Sequence, residues 1–495
     1  MKSGIGFFKG AGRARRPRLL ACLVALAAPM ALLALACEGP TGLQGSRGPQ
    51  GPTGPQGPVF PSLRVAIAAG DIHRFDPVEN VQVSLSGSAH DFSRVPAQIR
   101  GRGNTTWFNM GEKRPFRIRF DAARPMFGSD YSARTWAAIS ATLDYTLMRQ
   151  YAAYFLGRML EGTRDHWLGP AGHFAHLYLD GEYRGVYMIS NQVASGANER
   201  LRLVADNDPR RSEFLLEWCG RADTTTASGG PEEFYVIVDI PNNATRQDVP
   251  FVVDFPGGGV LRGGHGHMGF LQEFLNAVSV AIRGGDYAAV SYLIDVCSFV
   301  DFYLVQELFR NMDSHWSSLR FQIRQAGGRP VLFAGPLWDF DFSSGGGWGG
   351  SGGVNSYHPY DFWTGRWNGW FNSLMQADWF RTRAAARWDE ISGNQVATMI
   401  ARIEELAYTY LDCFERNFER WDVLGTNVYR PPAASRPDMG VTPSVMKLDT
   451  FTENVDFLVD WFERRVSWMS ANLAQGLPPN QARFLREPEP AIIGR

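Results

Sequence analysis

Fourteen residues, Val296 to Phe309 (VCSFVDFYLVQELF), make an apolar run of helix length that gives way at once to Asn311 and Asp313. A second apolar run, Val331–Trp338, ends in the same way on Asp339 and Asp341. Burying both runs is strongly favoured, so the fold has to deliver two acid sites on loops at the ends of regular elements. Trp338, Phe340 and Phe342 interleave with the second pair, which makes that loop apolar on one side. A carboxylate in such a place needs a partner, and a metal cation is a good one. The plainer alternative is a turn capped by Asp313 and a solvated loop around Asp339 and Asp341. Phosphoryl transfer has a use for the first arrangement: one carboxylate takes the proton of the attacking hydroxyl, and others hold cations against the phosphates. Asp313 suits the first task and Asp339 or Asp341 the second.

Around this stretch the chain has ample material for a core. Of 495 residues, 44 % are hydrophobic and 13 % aromatic, with 15 Trp and 33 Phe, a globular rather than a disordered composition. Lys plus Arg (49) nearly balance Asp plus Glu (50), which offers no argument for nucleic acid or an anionic membrane surface. Cysteines at 22, 37, 219, 297 and 413 include no C-x-x-C and no disulfide framework. Cys297, inside the apolar run, reads as a small buried hydrophobe.

Before the core come two segments of other kinds. Residues 1–37 carry a basic stretch without acids, the apolar run Leu19–Ala36, and Cys37, the pattern of an export signal. The word LALAC resembles a bacterial lipobox, apart from Ala34, and marks Cys37 as a lipidation site on an exported, membrane-anchored lipoprotein at the cell surface or in the periplasm. An uncleaved membrane helix is the alternative, since 18 apolar residues reach the lower limit for spanning. Residues 38–60 place Gly at every third position from 39 to 57, the collagen period. Seven triplets are few, so the segment reads as a semi-rigid stalk of roughly 60 Å, with a stalk-mediated trimer as the alternative. Residues 478–495 form a Pro-rich tail.

Between these ends two patterns succeed one another. Residues 61–193 read as a β-rich lobe: short alternating runs such as RPFRIRFD, with Phe116, Ile118 and Phe120 on one face, and a hairpin at Asp180-Gly181. One helix is expected at Tyr145–Leu160. Residues 194–477 read as mainly helical, with helices expected at Gly263–Ile282, Tyr287–Phe309, Trp379–Arg387, Ser392–Tyr410 and Thr450–Leu473. The fold class is therefore α+β.

Particular words go further. IRGRGNTTW (Ile99–Trp107), EKRPFRIRF (Glu112–Phe120), LDYTLMRQYAAYFLG (Leu143–Gly157), HLYLDGEYRGVYMI (His176–Ile189), FLLEW (Phe214–Trp218), the run Ile294–Asp313 and GPLWDFDFSSG occur in order. Together they resemble the spore-coat-protein-H (CotH) family of atypical, secretory-type kinases, over about residues 62–475. The resemblance implies a two-lobed protein-kinase-like fold that uses ATP with Mg²⁺ or Mn²⁺ to phosphorylate Ser or Thr of an exported protein. It makes Asp313 the catalytic aspartate, Asp339 the metal-binding aspartate with Asp341 beside it, and Lys113 the partner of the nucleotide phosphates. Arg102 and Arg149 would buttress the phosphates or the lobe interface. Two positions depart from the family pattern: Asn191 stands where Glu is usual, and Arg320 about where Asn is common. An Arg cannot ligate a cation, so Asn311 or Asp341 must complete the metal shell, or the chain is a catalytically inactive surface adhesion or structural lipoprotein.

Two further words are discounted. The G-x-S-x-G match at Gly349–Gly353 lacks the strand and helix that a nucleophile elbow needs; its Gly-rich tract reads as a mobile flap. His265 and His267 have no third ligand close in sequence and read as solvated loop residues.

Overall fold

The computed structural model describes residues 59–103, 105–108, 111–161, 167–224, 232–346, 359–425 and 448–477. Cys37 and its leader, the Gly-X-Y tract, residues 347–353 of the Gly-rich tract and the tail lie outside the described residues. Among the described residues no helix is long and apolar enough to cross a membrane.

Seven strands form a closed barrel: β1 (Ser62–Ala66), β2 (Val78–Ser86), β3 (Phe92–Gly101), β4 (Phe116–Arg124), β5 (Ala133–Ile139), β6 (Gly172–Leu179) and β7 (Glu182–Asn191). Their order is β1-β2-β3-β4-β5-β7-β6, and parallel pairing of β1 with β6 closes the ring and removes both edges. The alternation that marks β4 as a strand is the alternation of burial: Phe116, Ile118 and Phe120 point into the barrel core with Ile99, Trp136 and Tyr187. Asp180 and Gly181, both at positive φ, make the β6–β7 hairpin that their dipeptide predicts.

The second half is less helical than its sequence suggests. It contains a five-stranded sheet in the order β12-β11-β8-β10-β9, from β8 (Phe214–Trp218), β9 (Tyr235–Asp239), β10 (Asp248–Phe255), β11 (Leu319–Ala326) and β12 (Arg329–Ala334). β8 and much of β11 are buried on both faces, so they show no period-2 signal and cannot be told from helix by pattern. The β11–β12 turn is carried by Gly327 and Gly328, both at positive φ.

Several helices differ from their expected bounds for local reasons. The expected helix Tyr287–Phe309 is two, Tyr287–Leu293 and Val296–Phe309, because the Asp295 carboxylate caps the second by accepting from Ser298 N at 2.6 Å. The helix expected from Tyr145 begins at Arg149, since Asp144 holds Thr146 N (3.0 Å) and Arg149 N (2.8 Å) in a turn. The helix expected from Gly263 starts at His267, after Gly264 and Gly266 at positive φ, and runs to Gly284. His267 is buried, contrary to the solvated reading, and its Nε2 meets Asp206 O at 2.8 Å. Cys297 is half-buried rather than buried.

Helix Val296–Phe309 lies at the centre of the second core, with every residue but Cys297 buried. A helix apolar all round belongs there. Its own acids are each met by an arginine: Asp301 by Arg387 Nε at 2.8 Å, and Glu307 by Arg465 Nη2 at 2.7 Å. Arg310 then takes left-handed backbone (φ 46°) and ends the helix, which turns the chain toward Asn311 and Asp313.

Candidate active site

Asp313 lies on a short 3₁₀ turn, Met312–His315, directly after that central helix. Asp339 and Asp341 follow β12, with Trp338 and Phe340 buried on either side of Asp339. Two loops so far apart in sequence are stitched by backbone and amide contacts. Met312 N donates to Phe342 O at 3.0 Å and Ser344 N to Phe309 O at 2.7 Å. Asn311 works in both directions: its side-chain oxygen accepts from Asp313 N (3.2 Å) and its Nδ2 donates to Asp339 O (3.1 Å). Asp339 itself stands at positive φ (62°), and its Oδ2 accepts from Ser318 Oγ at 3.0 Å.

The three carboxyls face one cleft of about 340 Å³ between the barrel and the second sheet. Enclosure by protein, and next the charge of Asp339, push Asp313 up to about 7, with Arg221 opposing. Asp341 is held well above the ordinary carboxylate range by the same enclosure, by Asp339 and Asp313, and by a hydrogen bond with Asp339. Arg102 closes this end of the cleft from the barrel side, its guanidinium 4.9 Å from the Trp338 ring centre and within the field of Asp339 and Asp341.

Residues 99–469 match the family described as CotH kinase protein. The chain belongs to the CotH kinase family. No curated protein matches it. The matched span starts inside β3 and takes in both acid loops, whereas β1 and β2, needed to close the barrel, precede it. Membership carries a protein-kinase-like function and, for the family generally, use of ATP with a divalent metal.

The CotH site residues expected from sequence divide into two groups. Asp313, Asp339, Asp341 and Arg102 line the cleft. Asn311 is buried between the acid loops with its amide engaged at both ends, so it positions the acids, and of the two candidates to complete a metal shell Asp341 is the one that faces the cleft. Arg149 is held behind the site by Asp144 and by the carbonyls of Ser343 (3.0 Å) and Ser344 (3.2 Å), which leaves no guanidinium edge for a phosphate. Lys113 is also outside the cleft lining, buried 5.3 Å from the Tyr187 ring centre with no hydrogen-bond partner for Nζ. Asn191 accepts from Tyr131 Oη (2.7 Å) and Ala171 N (3.2 Å), a packing role in the barrel. Arg320 does line the cleft, paired with Glu217 at 3.0 Å and with Asp254.

For a divalent cation the donor chemistry fits: three carboxyls, all hard oxygen donors, crowded in one cleft where a cation would relieve their mutual repulsion. Among the described residues, however, no group of three or more His, Cys, Asp or Glu side chains is closed up into a ready metal site. Sequence reading missed Ser318 and Asp144, whose roles depend on partners in other elements. It also missed Arg221, which lines the cleft within the field of Glu217, Asp313 and Asp339 and donates to Ser317 Oγ at 3.1 Å.

Lys113 makes a prediction about stability. Burial, opposed in part by Asp144, pushes its amino group from 10.5 down to about 7. Between those pH values the unfolded chain holds this proton more firmly than the folded one, so stability rises as the pH climbs from 7 toward 10. Lys113→Met removes that rise and is expected to be more stable than the parent at pH 7, by on the order of a few kcal/mol. Urea unfolding at neutral and alkaline pH measures both slopes; parallel slopes would show that Lys113 is not buried uncharged.

Proposed function

We propose that the chain is a metal-dependent protein kinase that transfers the γ-phosphoryl group of ATP to a Ser or Thr hydroxyl of an exported protein. The observation that carries this reading is the convergence of Asp313, Asp339 and Asp341 on one cleft, with Asp313 poised near neutrality. Asp313 accepts the hydroxyl proton as the oxygen bonds to the γ-phosphorus and the bond to the ADP oxygen breaks. Asp339 and Asp341 would hold Mg²⁺ or Mn²⁺, which supplies positive charge to the phosphates. Ser318 and Asn311 fix the orientation of Asp339, and Arg102 lends a permanent positive charge beside it. Export through the N-terminal segment and a lipid anchor at Cys37 would place the kinase outside the cytoplasm.

The competing reading is a CotH-like surface protein without catalysis, favoured by Arg320, which lines the cleft about where the family commonly has Asn and cannot ligate a cation. Purified protein incubated with labelled ATP and either cation, with and without exported proteins as acceptors, separates the two. Label transferred to Ser or Thr in a metal-dependent manner is expected. A folded protein that binds no nucleotide in the presence of either metal would end the kinase reading.

A further inference from the structure

A second cavity, of about 260 Å³, shares no lining residue with the acid cleft. Its walls come from two parts of the fold. The barrel supplies Phe60 ahead of β1, Phe127 after β4 and Phe174 in β6. Two helices supply Tyr151, from Arg149–Glu161, and Tyr410, at the end of Ala397–Thr409. The rings meet around the space: the Phe60 and Tyr410 centres lie 5.1 Å apart, edge to face, and those of Tyr151 and Phe174 are also 5.1 Å apart. Arg402, Leu406 and Tyr410 reach the cavity together because residues four apart share one face of a helix. Nothing in phosphoryl transfer calls for an aromatic chamber at this place.

Two polar groups distinguish the chamber from a packing void. His173 lines it with its ring stacked on Phe127 at 5.1 Å, and its Nε2 is buried without a hydrogen-bond partner. Native proteins seldom leave such an atom uncompleted. Burial, and next the charge of Arg158, pushes the imidazole down to about 4, so at neutral pH it is uncharged and can donate or accept. Arg402 donates from Nε to Tyr151 Oη at 3.4 Å and pairs through Nη1 with Glu405 at 2.7 Å, which leaves Nη2 without a partner among the described residues. Glu405 stands largely in solvent and does not line the cavity. Among the described residues no Asp or Glu lines it, and Arg402 is its one charged side chain. Rings that offer both edges and faces favour a flat aromatic body, and a guanidinium edge turned to an acid-free chamber favours a carboxylate. The volume lies just under the ~300 Å³ at which pockets begin to take drug-sized ligands, which suits a single fused ring system. We propose that this cavity is a binding site for a small aromatic carboxylate, with the ring among Phe60, Tyr151, Phe174 and Tyr410 and the carboxylate on Arg402. The site does not rest on the kinase reading.

The test is binding to the full-length protein, followed by calorimetry and thermal melting. The probes are indole-3-acetate, its neutral and cationic counterparts 3-methylindole and tryptamine, and octanoate as an acid without a ring. The parent is expected to bind indole-3-acetate, to melt higher with it, and to bind 3-methylindole and tryptamine about tenfold more weakly or less. Arg402→Gln should lose about tenfold in affinity for indole-3-acetate and leave that for 3-methylindole unchanged. Ala89 lines the cavity from the exposed β2–β3 turn, so Ala89→Trp can fill the space without disturbing a core and should abolish binding of both. Saturating ATP with Mg²⁺ should not displace indole-3-acetate, because the two cavities have no residue in common. Absence of indole-3-acetate binding, tighter binding of tryptamine or octanoate, full affinity in either variant, or displacement by ATP would each overturn the proposal.

Discussion

Asp313→Asn is expected to lower the phosphotransfer rate by about 10²–10⁴-fold while the fold persists, the range lost when a positioned proton acceptor is removed. The amide keeps the shape of the carboxyl and the backbone contact of Asp313 N with Asn311, but it cannot take a proton. Because the change deletes a charge from a cluster of mutually repelling acids, the variant should melt at or above the parent temperature. A structural role predicts the opposite pair of results: activity lost only in step with stability. Nucleotide binding should survive, so the loss falls on kcat rather than on KM. Retention of full activity in a folded Asp313→Asn protein would remove Asp313 from the chemistry and return the site to a display role.

Arg465→Met is expected to cost about 3–5 kcal/mol of folding stability by urea unfolding, among the largest effects available to a single change in this chain. Arg465 and Glu307 are both fully buried, and the guanidinium also donates to the carbonyls of Pro359 (3.1 Å) and Asp361 (2.7 Å). Glu307 in turn accepts from Trp363 N (2.6 Å) and Gly365 N (2.8 Å). The pair therefore ties residues 359–365 to the helix that delivers Asp313. Removing Arg465 leaves the buried Glu307 carboxylate without its ion-pair partner. The double replacement Glu307→Gln/Arg465→Met should be less damaging than the sum of the singles, and strict additivity would show that the two do not act as a pair.

Some of this protein can be read from residues in order, and some cannot. The run Val296–Phe309 had to be a buried helix, and the alternation at Phe116, Ile118 and Phe120 had to be a strand with an apolar face, because the period of burial is written locally. The CotH words point to Asp313, Asp339 and Asp341 for the same reason: each acid follows closely on an apolar element whose end it marks, a mark that Arg102 does not carry. The strands β8 and β11 were hidden because burial on both faces erases the period. Asp144 and Asp295 moved helix starts through caps that compete with an apolar pattern running straight across them.

What remained was decided by pairing between distant segments. Nothing near Asn311 announces that its amide spans to the carbonyl of Asp339, and nothing near Arg149 announces Ser343 and Ser344 as its partners. Lys113 lies in a family word, yet packing put its amino group against Tyr187 and away from the cleft. The repulsive register of Arg100 against Arg117 likewise appears only when β3 and β4 pair. Local sequence determines which face of an element is buried; tertiary packing decides which charges then meet, since electrostatic and hydrogen-bond energies depend on distances that the order of residues does not contain.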